Sequence, residues 1–242
     1  MNTTTFKVFR YDPDDGREPH FQTFNVETAK GMTLLEALYW IMENKDPSFA
    51  FRSSCREANC GSCAMHINGS YGLACRTQVE KLKPPIIIRP LAHLQVLKDL
   101  VVDMKPFFDN FKAIKPYLIP GDNPPEKEYY QSVEDRKKID HHVDCILCGS
   151  CYGSCPVAYG DPKYLGPHAL LKALRFVDDS RDGATDERLA MVASEFGVFR
   201  CHTIFNCQLV CPKDLNPTGA ISKLKNKIVV KKFPWMKMFV KT

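Results

Sequence analysis

Eleven cysteines constrain this 242-residue chain more than any other feature. They fall in three groups: four from Cys55 to Cys75, four from Cys145 to Cys155, and three from Cys201 to Cys211. A disulfide framework pairs its thiols and belongs mostly to small secreted domains. An odd total at two- and three-residue spacings argues instead for free thiols that hold metal. The segment after Met1 is polar and strand-like, with neither a basic-then-apolar signal pattern nor twin arginines. Apolar runs are a few residues long, against the roughly 18 to 20 that a membrane-spanning helix needs. These features predict a reducing, cytoplasmic-type compartment.

The hydrophobic pattern predicts two parts. Residues 5–11 and 21–26 alternate apolar and polar side chains around the turn cluster Pro13-Asp14-Asp15-Gly16, which predicts two strands. Thr33-Leu34-Leu35-Glu36 is a capping box opening a helix with Leu34, Leu38 and Ile41 on one face. Asn68-Gly69 predicts a turn between strands over 64–67 and 73–78, and Ile86-Ile87-Ile88 a short buried strand. This is the pattern of a small α+β domain ending near residue 100. Pro106, Pro116, Pro120, Pro124 and Pro125 then punctuate short helical pieces and a linker. Helices are predicted over 167–177 and 186–196, and Asn216-Pro217 caps a last helix running to about Lys232.

The first cysteine group, Cys55-x4-Cys60-x2-Cys63-x11-Cys75, has the plant-type [2Fe-2S] spacing, with Gly61 and Ser62 small enough for a tight loop. Structural zinc is the competing reading, but it favours two separated knuckles. The second group, Cys145-x2-Cys148-x2-Cys151-x3-Cys155-Pro156, is the bacterial-ferredoxin run, whose fourth cysteine ligates the other cluster. The third, Cys201-x5-Cys207-x3-Cys211-Pro212, completes it except that Ile204 stands where a thiolate is expected. Crossing the ligands assigns Cys145, Cys148, Cys151 and Cys211 to a [4Fe-4S] cluster and leaves Cys155, Cys201 and Cys207. Three thiolates suit a [3Fe-4S] cluster; the alternative is a labile [4Fe-4S] cluster with water at the Ile204 corner. No phosphate-binding, nucleophile-elbow, zinc-protease or dinucleotide motif is present, so no catalytic residue is assigned and electron transfer is the expected role.

Charge is uneven. From residue 215 onward there are seven lysines and no acidic residue, leaving 26 basic and 28 acidic groups before it. The lysines are not interleaved with a nucleic-acid-reading motif, and no nucleic-acid partner is expected. Ile228, Val229, Val230, Phe233, Trp235, Met236, Met238, Phe239 and Val240 are mixed among them, which suits a membrane surface or an anchoring partner. A merely solvated lysine tail is the alternative.

Over nearly its full length the chain resembles the iron-sulfur subunit of the respiratory complex II family, the succinate:quinone oxidoreductases (succinate dehydrogenase and quinol:fumarate reductase). The matching residues are Cys55-Arg56-Glu57 to Cys63, Asn68-Gly69 to Cys75, Cys145-Ile146-Leu147-Cys148, Asp179-Ser180-Arg181-Asp182, Val198-Phe199-Arg200-Cys201-His202 and Cys211-Pro212-Lys213. The resemblance implies an α+β chain, with a β-grasp plant-type ferredoxin domain over 1–103 and an α-helical bacterial-ferredoxin-like domain over 104–242. It implies an FAD-bearing flavoprotein partner that performs the succinate chemistry, membrane anchor subunits with or without haem, and a quinone acceptor. It places the chain peripherally on the cytoplasmic face of the inner membrane. Pro156, His202, Ile204 and Lys225 fall on positions that line the family's quinone site. Some members carry a tryptophan in the loop after the fourth cysteine of the second motif. Here that loop is Pro156-Val157-Ala158-Tyr159-Gly160, which favours menaquinone, with Tyr159 as a replacement contact. The rival reading is an iron-sulfur subunit of another quinone- or thiol-linked oxidoreductase.

Overall fold

The structure, a computed structural model, describes residues 2–121 and 125–238; Pro124, Phe239 and Val240, named above, lie outside the described residues, as does the Met238 side chain. The chain divides into two compact units. One takes the segment ending at Met104 together with Ile146–Ser154 and Val210–Pro212. The other takes Lys105–Cys145, Cys155–Leu209 and the segment from Lys213 onward.

In the first unit, β1 (Asn2–Arg10) and β2 (His20–Thr28) arise from the two alternating runs and pair antiparallel, with Phe6 opposite Phe24. Alternation puts Phe6, Val8, Phe24 and Val26 on the buried face. The helix α1 (Leu34–Asn44) begins at the capping box: Glu36 N–H donates to Thr33 Oγ1 at 3.2 Å, and Thr33 N–H to Glu36 Oε2 at 2.7 Å. The Thr33 backbone donor is the main cause holding the Glu36 carboxyl below its ordinary pKa. Leu34, Leu38 and Ile41 are fully buried, as their shared face predicts.

The hairpin of β3 (Ala64–Ile67) and β4 (Ser70–Leu73) turns through Asn68 and Gly69, both at the positive φ that a tight two-residue hairpin turn needs. The strand expected over 73–78 does not form. Past Leu73 the N–H groups of Arg76 and Thr77 fold back onto the Leu73 carbonyl, so Cys75 sits in a turn. The strand β5 (Ile86–Arg89) buries Ile86 and Ile88 and pairs parallel with β1 and antiparallel with β3. The resulting five-stranded sheet has the order β2-β1-β5-β3-β4. A small second sheet, β6 (Val96–Lys98) with β7 (Val101–Val102), was not among the expected strands. Between them lies buried Asp99, whose carboxylate accepts from Arg10 Nε at 2.9 Å, Tyr11 N–H at 3.0 Å and Ala50 N–H at 2.8 Å.

The second unit is helical. It opens with α2 (Lys105–Ala113) and α3 (Val133–Val143), the latter capped by Ser132. The short α4 (Ser150–Gly153) belongs to the first unit. Then follow α5 (Pro156–Gly160), α6 (Gly166–Val177), α7 (Thr185–Val192), α8 (Asn206–Leu209) and α9 (Pro217–Lys232). The central helix is α6, which packs on α2, α3, α7 and α9 and buries Leu170, Leu171 and Leu174. The helix expected over 186–196 stops at Val192. Gly197 lies so close to that helix end that a Cβ there would stand 1.9 Å from the Val192 carbonyl oxygen, so the chain folds over the terminus. Asn216 caps α9 as expected, its Oδ1 accepting from Gly219 N–H at 2.7 Å. Among the described residues no helix is long and apolar enough to cross a membrane.

The run Asp179–Asp182 is an ion-pair knot. Asp179, buried, holds Arg181 Nε at 2.8 Å and Arg175 at 3.1 Å. Asp182 holds Arg188 Nη2 at 2.8 Å, with both side chains fully buried. The Arg188 guanidinium also donates to the carbonyls of Ile114, Lys115 and Tyr117 and lies over the Phe176 ring. A buried pair is costly to break because one charge is left without its partner, so Arg188→Ala is expected to destabilise by about 3–5 kcal/mol. Denaturant unfolding of the variant checks this, and a loss below about 1 kcal/mol would contradict it.

Candidate metal centres

The first cysteine loop is bent by three residues at positive φ, Arg56 at 59°, Ala58 at 56° and Gly61 at 74°. Consecutive backbone N–H groups therefore converge on sulfur, forming the kind of concave donor nest that binds anions. Cys55 Sγ accepts from the N–H groups of Glu57 at 3.4 Å, Asn59 at 3.3 Å and Cys60 at 3.2 Å, and Cys75 Sγ accepts from Ala58 N–H at 3.3 Å. Cys63 is buried, and that burial pushes its thiol up to about 12. For Cys60, burial also opposes ionisation, but hydrogen bonds from Ser62 and Cys55 outweigh it and bring the thiol down to about 6. Four thiols served by backbone donors fit an iron-sulfur cluster.

The second loop has Leu147 at φ 53° and Gly149 at φ 84°, which turn the chain between Cys145 and Cys151. Cys148, Cys151 and Cys211 belong to the first unit, and Cys145 is the residue that ends a segment of the second. Within the first unit the two loops touch. A Cβ on Gly61 would stand 2.9 Å from Cys148 Cα and Cβ and from the Ile146 carbonyl oxygen. On the other side, Arg76, next to Cys75, donates to the carbonyl of Pro212, next to Cys211.

The remaining cysteines, Cys155, Cys201 and Cys207, line one cavity of the second unit. Pro156, His202 and Ile204 line it too, so three of the four residues expected near a quinone share it with the three thiols. The fourth, Lys225, reaches the same loop from α9, its Nζ donating to the Cys201 carbonyl at 3.0 Å. Among the described residues no three His, Cys, Asp or Glu side chains could hold a single metal ion; these thiols surround a space instead of meeting at a point. Burial pushes the Cys155 and Cys207 thiols up, against hydrogen bonds from Val157 and Ala158 N–H to the first and from Thr218 to the second. Thiols around open space, with donors on their sulfurs, again fit a cluster.

Sequence reasoning missed several residues here. Tyr164 and Thr218 line the cavity, and both are buried. Thr218 lies in the recognisable Asn216-Pro217 helix start, whereas nothing in the pattern marked Tyr164. Thr203 and Phe205, at φ 58° and 69°, flank Ile204 in a conformation that non-glycine residues resist. The side chain of Ile204 is 47% exposed at the mouth of the cavity.

Gly61 is the most sensitive backbone position of the cysteine loops. Its left-handed φ costs an L-residue about 1–2 kcal/mol, and its Cβ would meet backbone atoms that have no rotamer with which to yield. Gly61→Ala is expected to lower the thermal unfolding midpoint of the purified protein; an unchanged midpoint would contradict the close packing.

A "2Fe-2S iron-sulfur cluster binding domain" model matches residues 5–109 and a "4Fe-4S dicluster domain" model matches 137–212. A chain of the Mycobacterium smegmatis Sdh1 complex in the apo form shares the fold, with TM-score 0.87 at 24% identity over 96% of this chain and 97% of that one. The succinate dehydrogenase iron-sulfur subunit of Paracoccus denitrificans is 46% identical over 231 residues, 94% of this chain and 89% of that protein. The mitochondrial succinate dehydrogenase [ubiquinone] iron-sulfur subunit 1 of Oryza sativa subsp. japonica is 46% identical over 93% of this chain and 82% of its own length. With two iron-sulfur cluster-binding domain models matched and 46% identity to such subunits over nearly the whole chain, this chain belongs to the succinate dehydrogenase iron-sulfur subunit family.

Proposed function

We propose that this chain conducts electrons between the FAD of a flavoprotein subunit that interconverts succinate and fumarate and a quinone held at a membrane anchor. Cys55, Cys60, Cys63 and Cys75 would hold a [2Fe-2S] cluster, Cys145, Cys148, Cys151 and Cys211 a [4Fe-4S] cluster, and Cys155, Cys201 and Cys207 a [3Fe-4S] cluster. When bound, these clusters supply one-electron carriers between a two-electron flavin and a quinone. The observation that carries the reading is the third cavity: three thiols share it with Ile204, an apolar side chain in the position where a fourth thiol would complete the ferredoxin pattern.

The protein's own residues do three things in this account. The backbone donors of the first loop stabilise thiolate sulfur, which keeps the ligands in the deprotonated form that metal requires. The contact between Gly61 and Cys148 holds the first two ligand loops together inside one compact unit. Pro156, His202 and Ile204 line the cavity that would hold the third cluster and would bring a quinone head close to it, and Lys225 braces the Cys201 carbonyl from α9. The short helix α5, Pro156-Val157-Ala158-Tyr159-Gly160, has no tryptophan and presents Tyr159 on its surface, which favours menaquinone.

Exposed apolar side chains on the second unit, Ile204, Phe205, Leu209, Phe233 and Trp235, together with the lysine-rich end of α9, suit an anchor surface beside anionic headgroups. Attachment would be peripheral, on the cytoplasmic face. Purifying the complex from membranes with mild detergent and identifying its subunits and quinone tests the assembly. The ligand assignment is tested by Ile204→Cys, which supplies the missing thiol. The third centre is expected to convert toward a [4Fe-4S] type, with its oxidised EPR signal lost, a lower potential and slower quinone reduction. An unchanged EPR signal would contradict the crossed-ligand scheme.

A further inference from the structure

The third cavity carries hydroxyl donors that lie outside the cysteine pattern. Thr218, in the first turn of α9 and 4% exposed, sets its Oγ1 3.2 Å from the sulfur of buried Cys207. Tyr164, 1% exposed, lines the same cavity as Cys201. Cys201 Sγ accepts from Thr203 N–H at 3.4 Å. The two side chains are held firmly: α9 packs against α6 and is capped by Asn216, and Asn110 Nδ2 donates to the Tyr164 carbonyl at 3.1 Å.

Between a neutral thiol and a hydroxyl, either atom can be the donor. A thiolate bound to iron has no proton to give, so in the loaded site the Thr218 hydroxyl must donate to Cys207 sulfur. Such a bond is stronger toward the more negatively charged reduced state than toward the oxidised one, and donors on cluster sulfurs therefore raise the reduction potential. Burial acts the other way, because a low dielectric penalises the extra negative charge of reduction. A buried site that has to accept electrons at the end of a chain needs donors of this kind to offset its burial.

We propose that the Thr218 hydroxyl sets the reduction potential of the third centre by donating to the sulfur of its ligand Cys207. This rests on the reading of Cys155, Cys201 and Cys207 as cluster ligands. The test is a redox titration of the intact purified complex, following the EPR signal of the oxidised third centre in wild type, Thr218→Val and Thr218→Ser. The signals of the other two centres serve as internal references.

Thr218→Val, which keeps the shape and removes the donor, is expected to lower the midpoint of the third centre alone. The reduced-to-oxidised ratio at fixed ambient potential should fall about tenfold, which is about 59 mV for one electron. Thr218→Ser, which keeps the hydroxyl, should stay near wild type. An unshifted midpoint in Thr218→Val, or an equal shift in Thr218→Ser, overturns the proposal. If Thr218→Val does not retain the centre, Thr218→Ala decides: a lowered midpoint supports donor control and an unchanged one overturns it. A wild-type complex without a third-centre signal would overturn the site reading itself and not merely the role of Thr218.

Discussion

A thiolate carried out of water has to be met by hydrogen-bond donors, and the backbone supplies them here by bending into conformations that side chains resist. Arg56 and Ala58 in the first loop, Leu147 in the second and Thr203 and Phe205 in the third all have left-handed φ. The reward is visible at Cys55, whose sulfur collects three backbone N–H groups, and at Cys201, which collects that of Thr203. Each such residue costs about 1–2 kcal/mol relative to ordinary backbone. A β-branched threonine is among the least tolerant of all, so the third loop persists only because its surroundings over-determine it.

Those surroundings are of two kinds. In the first unit a five-stranded sheet and α1 enclose an apolar core, and Asp99 ties Arg10, Tyr11 and Ala50 together. Gly61 then lets the first cysteine loop press directly on Cys148. In the second unit α6 gives a buried apolar axis, while Arg188 and Asp182 gather three carbonyls and two N–H groups from loops without regular structure. Buried charge is a poor source of net stability, yet a fully satisfied network fixes loop paths that apolar packing alone would leave degenerate.

Much of this was legible in the residues. Periodicity placed β1, β2 and α1, and the Thr33 and Asn216 caps located two helix starts because a cap is a local, sequence-encoded bond. The cysteine spacings grouped the thiols, and Cys155, Cys201 and Cys207 do share one cavity with Pro156, His202 and Ile204. What was not legible depends on contacts distant in sequence. The strand expected over 73–78 fails because Arg76 and Thr77 return to the Leu73 carbonyl. The helix expected to reach residue 196 ends early because Gly197 covers its terminus. α3 escaped notice because only Ile139 is buried along its eleven residues, too little to mark an apolar stripe. Likewise Ile146–Ser154 and Val210–Pro212 group with the strand-rich unit, a partition that no composition shift along the chain announces. Thr218 is an ordinary residue until the fold brings it to sulfur.

The central claim is that three ligand sets in this chain form a path for electrons between succinate and quinone. It is tested most directly by adding succinate to the oxidised, purified complex and following the iron-sulfur EPR signals during turnover. The account predicts iron and acid-labile sulfide in the chain, loss of the oxidised third-centre signal on addition of succinate, and its return when quinone is supplied. Stoichiometric zinc without labile sulfide, or iron-sulfur signals that succinate and quinone leave unchanged, would contradict it.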